Sequence, residues 1–413
     1  MKLSSRLFAV AFILACSYFH QTAHAQGIML RSSGAVNAAV GGTATAMPLD
    51  ACGALYWNPA AISALPKNEM TFGLELIQAE SRVESSVPGL SGSTKGKSGV
   101  VPAPSMGLVW SKSRQSPFTF GLGMGAVGGA ASLYPHDTSN PVLMRHGRSA
   151  SVIILQVTPT AAVQLTERWS VGIAPIVDLA SLNINPMSLG REIAPSDTSL
   201  MTYGTRYVWG GGFQVGTLYD FQNHFKAGFM FKSPIWAEKL YFAGTYYDAQ
   251  HNPVATTASF HLNLPMTLSA GISYDGFRDT IIGVDFRYLD YANTAGFNKG
   301  AGTGVVEGLD WDSVFAVCVG AERKINNKLK GRLGYSWNEN PIPGRSAALC
   351  ISAPMIMQHV LTCGFSYAIV KDLEVSAAYN HVFEASVTGP YGPGTVTNTL
   401  SADSFFAGIT KKW

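Results

Sequence analysis

The chain has 413 residues, of which only 13% are Asp, Glu, Lys or Arg, about half of the roughly 25% usual in soluble globular proteins. The net charge of +3 is too small to attract nucleic acid, and there is no apolar run of about 20 residues such as a membrane helix needs. Little charge, 43 glycines and 11% aromatic residues together fit a transmembrane β-barrel, whose strands conceal their apolar residues in alternation.

Residues 1–25 read as a secretory signal. Lys2 and Arg6 form its basic start, Leu7 to Ala15 its apolar centre, and Ala23-His24-Ala25 a small-x-small cleavage site. The apolar centre is too short to span a bilayer. Ile13-Leu14-Ala15-Cys16 is an alternative, similar to a lipoprotein cleavage box, but it ignores the better site at Ala25.

Residues 26–66 do not read as membrane strands. They are rich in Gly and Ala from Ser32 to Gly42 and end in Trp57-Asn58-Pro59-Ala60-Ala61-Ile62. The segment is too short for an independent domain, and its small residues suit a chain folded tightly inside something else. A wide barrel has a lumen that wall side chains cannot fill, so 26–66 is expected to be a plug, or hatch, within a barrel formed by 67–413. Asn58, Pro59 and Ala60 are its candidate gate. Pro59 fixes one backbone angle and Asn58 bonds locally, which equally describes a structural turn.

From residue 67 onward, runs with period-two alternation recur. Phe225, Ala227, Phe229 and Phe231 share one face, with Lys226 and Lys232 on the other. Ile282, Val284, Phe286 and Tyr288 alternate with Gly283, Asp285 and Arg287. Short polar turns and long connections follow one another, the asymmetry of an outer-membrane barrel. The fold expected is all-β: a 14-stranded antiparallel transmembrane β-barrel, with strands at 69–79, 105–112, 117–126, 151–165, 169–180, 207–220, 224–235, 258–274, 280–290, 311–323, 328–337, 356–368, 372–384 and 401–413. An even count leaves both termini on the periplasmic side. Trp169, Trp209, Tyr219, Trp337, Tyr367 and Trp413 fall near strand ends, where interfacial belts need them. Leu240-Tyr241-Phe242 is a candidate additional strand.

No catalytic set is present: G-x-S-x-G, H-E-x-x-H and P-loop patterns are missing. Gly121-x-Gly123-x-Gly125 lies in a strand pattern, and His359 and His381 do not pair with an obvious serine. No enzyme activity, metal or cofactor is expected. The cysteines beyond the signal (Cys52, Cys318, Cys350 and Cys363) lack metal-ligand spacing. They read as small wall residues, although a Cys350–Cys363 bridge is compatible with an oxidising compartment.

The hatch leading into Asn58-Pro59-Ala60, Trp209-Gly210-Gly211-Gly212-Phe213 with Lys232-Ser233-Pro234-Ile235, and Arg332-Leu333-Gly334-Tyr335 with Asn340-Pro341-Ile342-Pro343 resemble the FadL/TodX (OMPP1) family in the same order. The resemblance implies a bacterial outer-membrane channel for passive uptake of hydrophobic molecules. Long-chain fatty acids are the first expectation and uncharged aromatic or aliphatic hydrocarbons the second; a general porin or a surface-structural or adhesive protein is a rival of another class. Its surroundings would be outer-membrane lipid and lipopolysaccharide, its partner a hydrophobic small-molecule ligand rather than nucleic acid, and its state a monomer. A kinked third strand with a lateral exit is also implied, where Gly121, Gly123, Gly125, Gly128 and Gly129 lie.

Apolar residues in two outer loops offer a ligand groove: Leu133, Tyr134, Val142, Leu143 and Met144, then Ile184, Met187 and Leu189. They equally suit loops packing on one another to cap the barrel. Where the resemblance implies basic groups for a fatty-acid carboxylate, this chain has Ser181 and Asp312. Lys232, Arg287, Lys330 and Arg332 point inward and are candidates to replace them, or to pair with Asp285 and Glu374.

Overall fold

The computed structural model describes residues 26–66, 68–113, 116–185, 187–188, 199–202, 207–247, 250, 252–299 and 308–413. The signal-peptide expectation lies outside these residues. Fourteen antiparallel strands form one ring. They are β1 Glu69–Val87, β2 Val100–Trp110, β3 Phe118–Tyr134, β4 Arg148–Gln164, β5 Trp169–Asn185, β6 Val208–Asp220, β7 Phe225–Lys232, β8 Thr267–Phe277, β9 Thr280–Leu289, β10 Val314–Lys324, β11 Leu329–Asn338, β12 His359–Val370, β13 Leu373–Tyr391 and β14 Gly394–Lys412. Each pairs with its neighbours in sequence, and β14 returns to β1 from Glu69↔Lys412 to Ser86↔Thr395. Closure is what lipid demands, because an open edge would leave N–H and C=O groups without partners.

Alternation sorts the side chains as the sequence indicates. On β9, Gly283, Asp285, Arg287 and Leu289 are buried inside the ring, whereas Phe286 is 56% exposed on the outer face. Trp169, Trp209, Tyr219, Tyr367 and Trp413 are all exposed outward near strand ends. Turns at the periplasmic end are tight, and Gln222, His224 and Asp279 take positive φ there.

The connections at the other end differ from expectation. Several intervals read as loops are strand that continues past the membrane, since residues above the bilayer can keep pairing while losing their apolar alternation. β1 runs to Val87 and folds back as a hairpin through Leu90–Lys95. The interval 385–400 is almost wholly paired, and β13 meets β14 at Tyr391↔Gly394, so the alternation of short and long connections fails at that point. Conversely, β7 stops at Lys232 and β8 starts only at Thr267. Pro234 and Pro265 stand beside those ends, where missing N–H groups interrupt a ladder. Leu240–Tyr247 does form a strand; it pairs with Pro253–Phe260 in a small sheet separate from the ring.

Residues 26–66 lie within the ring. Helix α1 (Gly34–Ala39) contacts β1, β2 and β11 to β14, while the 3₁₀ turn Pro59–Ala64 contacts β3 to β6. Helix α2 (Ala51–Trp57) lies against β1, β2 and β3. Asp50 caps α2 by accepting from the Gly53 N–H at 3.0 Å, and Glu69 of the wall accepts from Ala51. At only six and seven residues, these helices are too short to persist in isolation, so the wall must hold them.

Candidate functional site

The wall accommodates the plug through a girdle of glycines. Gly73, Gly107, Gly121, Gly172, Gly216, Gly228, Gly271, Gly283, Gly320, Gly334, Gly364 and Gly408 come from twelve different strands, and each faces a plug atom closely. A methyl group on Gly107 would stand 2.7 Å from the Cys52 nitrogen, and one on Gly172 2.5 Å from the Pro59 carbonyl carbon. Such distances lie well inside van der Waals contact, so any larger residue would have to push the plug or the strand aside. The small residues of α1 complete the fit, with Ala35, Ala38 and Ala39 packed against Ala378 and Phe406.

Polar contacts also fasten the plug to the wall. Asp285 Oδ2 accepts from the Ala44 and Thr45 N–H groups at 2.9 and 3.1 Å and from the Thr45 hydroxyl. Arg287 pairs with Asp285 at 3.1 Å, donates to the carbonyl oxygens of Gly42 and Arg31, and lies over the Trp57 ring. Asn58 donates to the carbonyls of Thr45 and, on β6, Thr217, at 2.7 and 3.0 Å, while its own oxygen accepts from Ala60. Thr362 of β12 both donates to Ala39 and accepts from Gly41.

One stretch of wall is not paired. The β2–β3 ladder runs only from Trp110↔Phe120 to Ser105↔Gly125. Beyond it, Val100 to Pro104 pair with β1 alone, and Ala126 to Tyr134 pair with β4 alone. The gap ends where the Lys97 N–H, in the segment before β2, donates to Leu133 of β3 at 2.7 Å. A window therefore opens between them. Its causes are local: Pro102 and Pro104, two residues apart, remove N–H groups from one edge of β2, and β3 carries a bulge between Ala126 and Gly128. Gly125 (φ 157°) leaves no room for a side chain against Pro104. Inside the window the plug borrows the free edge of β3, with Leu30 N–H donating to Val127 at 2.8 Å and Gly129 N–H to Ile28 at 3.3 Å.

A cavity of about 200 Å³ lies at this window. Met29 and Leu30 line its inner side, Val101 and Pro102 one edge, and Met355 and Met357 its upper part. Its lining also includes Val152, buried inside the ring, and Ile153, 45% exposed on the outer face of β4, so the cavity passes through the wall. Arg31 and Glu75 are its charged residues.

A closed antiparallel barrel, plugged from within and breached at one side, is an architecture for passage. Over residues 16–397 the chain matches the family model described as outer membrane protein transport protein (OMPP1/FadL/TodX). The chain belongs to this family. It is thus an outer-membrane transport protein, not an enzyme. Solved FadL/TodX structures share its fold. The toluene transporter TodX of Pseudomonas putida is 17% identical, with 93% of this chain and 99% of that one aligned and a TM-score of 0.73. A FadL homologue from Pseudomonas aeruginosa is 15% identical, with 94% and 99% aligned and a TM-score of 0.75. The toluene transporter TbuX of Ralstonia pickettii is 18% identical, with 93% and 99% aligned and a TM-score of 0.68. At such identities the likeness carries the fold alone. No curated protein sequence matches the chain.

The residues singled out from sequence divide by location. Asn58, Pro59 and Ala60 are buried between plug and wall. Gly121 and Gly123 face Leu55 of the plug, Gly125 borders the window, and Gly128 and Gly129 line the cavity there. Lys232 lies 4.6 Å over the Tyr56 ring, Arg332 pairs with Glu322 at 2.7 Å, and Lys330 stands 4.0 Å from Glu374. Tyr134, Val142, Leu143 and Ile184 belong to the cluster packed beneath the outer loops, while Leu133 and Met144 are exposed. None of these six lines the cavity. Leu189 and the Met187 side chain lie outside what is described. The four cysteines are free thiols, Cys350 buried and Cys363 exposed, so no bridge joins them.

The residues that line the cavity come from stretches read separately: the hatch (Met29, Leu30), an expected strand (Val152, Ile153), the exit kink (Gly128, Gly129) and a connection (Val101, Pro102). Val100-Val101-Pro102-Ala103-Pro104 carried the usable signal: apolar, β-prone residues with prolines at i and i+2 describe a strand with one unpaired edge.

Proposed function

We propose that the protein mediates passive, downhill uptake of small hydrophobic molecules, which leave the lumen sideways through the window between β2 and β3. The observation that carries this reading is the apolar cavity that crosses the wall at that window. The plug closes the straight route, and an apolar solute gains free energy by entering lipid rather than periplasmic water. In this reading Asn58, Pro59 and Ala60 hold the closed end in place.

Within that class, uncharged hydrocarbons fit better than fatty acids. Three of the four inward cations are paired with carboxylates, Arg287 with Asp285, Arg332 with Glu322 and Lys330 with Glu374, and Lys232 lies over the Tyr56 ring. In the cavity itself Arg31 is accompanied by Glu75, and a ligand carboxylate brought beside that pair would leave a net negative charge in an apolar site, which is costly. Of the structural relatives, TodX and TbuX are toluene transporters and a third is a FadL homologue.

The test is whole-cell uptake of labelled toluene, oleate and a small sugar by the wild type and by Ala131→Trp, which places an indole in the cavity lining. The expected result is toluene uptake in the wild type that falls at least to a tenth in the variant, with sugar flux low in both. Equal toluene uptake in the two, with the variant folded, would overturn the lateral route. Oleate taken up in preference to toluene would overturn the hydrocarbon assignment alone.

A further inference from the structure

We propose that the mature N-terminus is a pyroglutamyl residue formed from Gln26. The inference rests on cleavage after Ala25, which leaves Gln26 with a new α-amine. Gln26 is 1% exposed, and its carbonyl oxygen accepts from the Tyr291 hydroxyl at 2.8 Å. Its side-chain amide has the Cys318 thiol as a neighbour and, among the described residues, no nitrogen or oxygen partner.

The surroundings are hostile to a cation. The Gln26 amide lies against the Cys318 thiol, in a buried neighbourhood that holds two guanidiniums, Arg287 beside Asp285 and Arg31 beside Glu75. Asp285 is already committed to Arg287 and to the Thr45 and Ala44 N–H groups. A terminal ammonium placed here would be a buried charge without a counterion, which folded proteins avoid.

The terminus cannot simply swing out to water. Gly27 has φ 67°, and a Cβ on it would meet the Tyr291 ring at 2.7 Å. The next residues are pinned to the free edge of β3 by the Ile28 and Leu30 hydrogen bonds. Cyclisation removes the conflict. The α-nitrogen attacks Cδ of the Gln26 side chain, a five-membered lactam forms, and the amide nitrogen departs as ammonia with the proton lost from the amine. No oxidant or co-reactant is consumed. The product is neutral, retains one carbonyl acceptor and one N–H donor, and no longer carries an NH₂ group without a nitrogen or oxygen partner.

The experiment is mass spectrometry of the N-terminal peptide from full-length protein freshly extracted from outer membranes and digested at once in acid. The expected peptide begins at residue 26, is lighter than the Gln26 form by one ammonia, and resists Edman degradation. A peptide with a free amine on Gln26, a mature chain that begins elsewhere, or a lactam that accumulates only during hours of incubation would overturn the proposal. Gln26→Ser supplies a second readout, because its amine cannot cyclise. The folded barrel of this variant is expected to unfold several degrees lower in detergent; an unchanged temperature would overturn the argument from buried charge.

Discussion

The guanidinium carbon of Arg287 lies 3.3 Å from the centroid of the Trp57 ring, joining barrel wall to plug through a buried cation–π contact. Both side chains are almost fully buried, and Arg287 simultaneously neutralises Asp285. Replacing Arg287 with Ala would strip the counterion from a buried carboxylate, a change that usually costs about 3–5 kcal/mol. The expected outcome is a barrel that unfolds at lower denaturant concentration and shows raised single-channel conductance to small ions. The double variant Asp285→Leu/Arg287→Met should recover part of the stability, because it leaves no unpaired charge.

The glycine girdle predicts a sharp dependence on position. Gly320→Val would drive a branched side chain into the Val40 backbone, whereas an alanine at Gly211 meets only the Ile176 oxygen, 3.8 Å away. Overpacking of this sort costs about 1–3 kcal/mol or more. Gly320→Val should therefore shift the urea midpoint of the barrel in detergent and increase sugar leakage, while Gly211→Ala should change neither.

Asn58 holds plug backbone and wall backbone with one carboxamide. Asn58→Ala leaves the buried Thr45 carbonyl and the Thr217 carbonyl without this donor, at about 1–3 kcal/mol for each buried group left unsatisfied. Expected are faster hydrogen exchange in residues 44–60 and a modest rise in polar leakage. Unaltered exchange would show that the glycine fit alone retains the plug.

Cys350 sits in the connection between β11 and β12, outside the membrane-spanning strands, and accepts from the Trp311 indole at 3.2 Å. Burial pushes its thiol up to about 12. At pH 8 this leaves roughly one thiolate in ten thousand, so iodoacetamide should fail to label it in the folded barrel and label it rapidly after heating in SDS. Because the pKa is raised, labelling of the folded form should increase as pH climbs, without a plateau below pH 10.

The sequence was most legible where one physical rule acted alone. Period-two alternation around Phe286 and Arg287 indicated both faces of β9, because lipid on one side and lumen on the other leave little freedom. It was least legible above the membrane. The residues from Ala385 to Leu400 pair across β13 and β14 although no bilayer enforces apolar alternation there. The plug was readable from its small residues, but its counterpart was not: Gly283, Gly320 and Gly334 each resemble an ordinary weak point in a strand until register places them side by side. The window hid for a related reason. Pro102 and Pro104 looked like loop punctuation, and Met355 and Met357 sit more than two hundred residues away in the chain, so only the folded ring brings them to one cavity. Loop residues such as Leu143 had the right chemistry for a ligand groove, but burial beneath the outer loops uses it for packing.

The tightness of the girdle also constrains the order of assembly. A leading segment held this closely on all sides cannot be threaded into a finished cylinder from either mouth. Residues 26–66 must already occupy their place when the seam between β1 and β14 zips shut, a seam whose last clasp is Trp413 N–H on Asn68 at 3.0 Å. The first part of the chain to reach the periplasm therefore has to wait for the last, and whatever machinery inserts the barrel closes it around an interior that is already built.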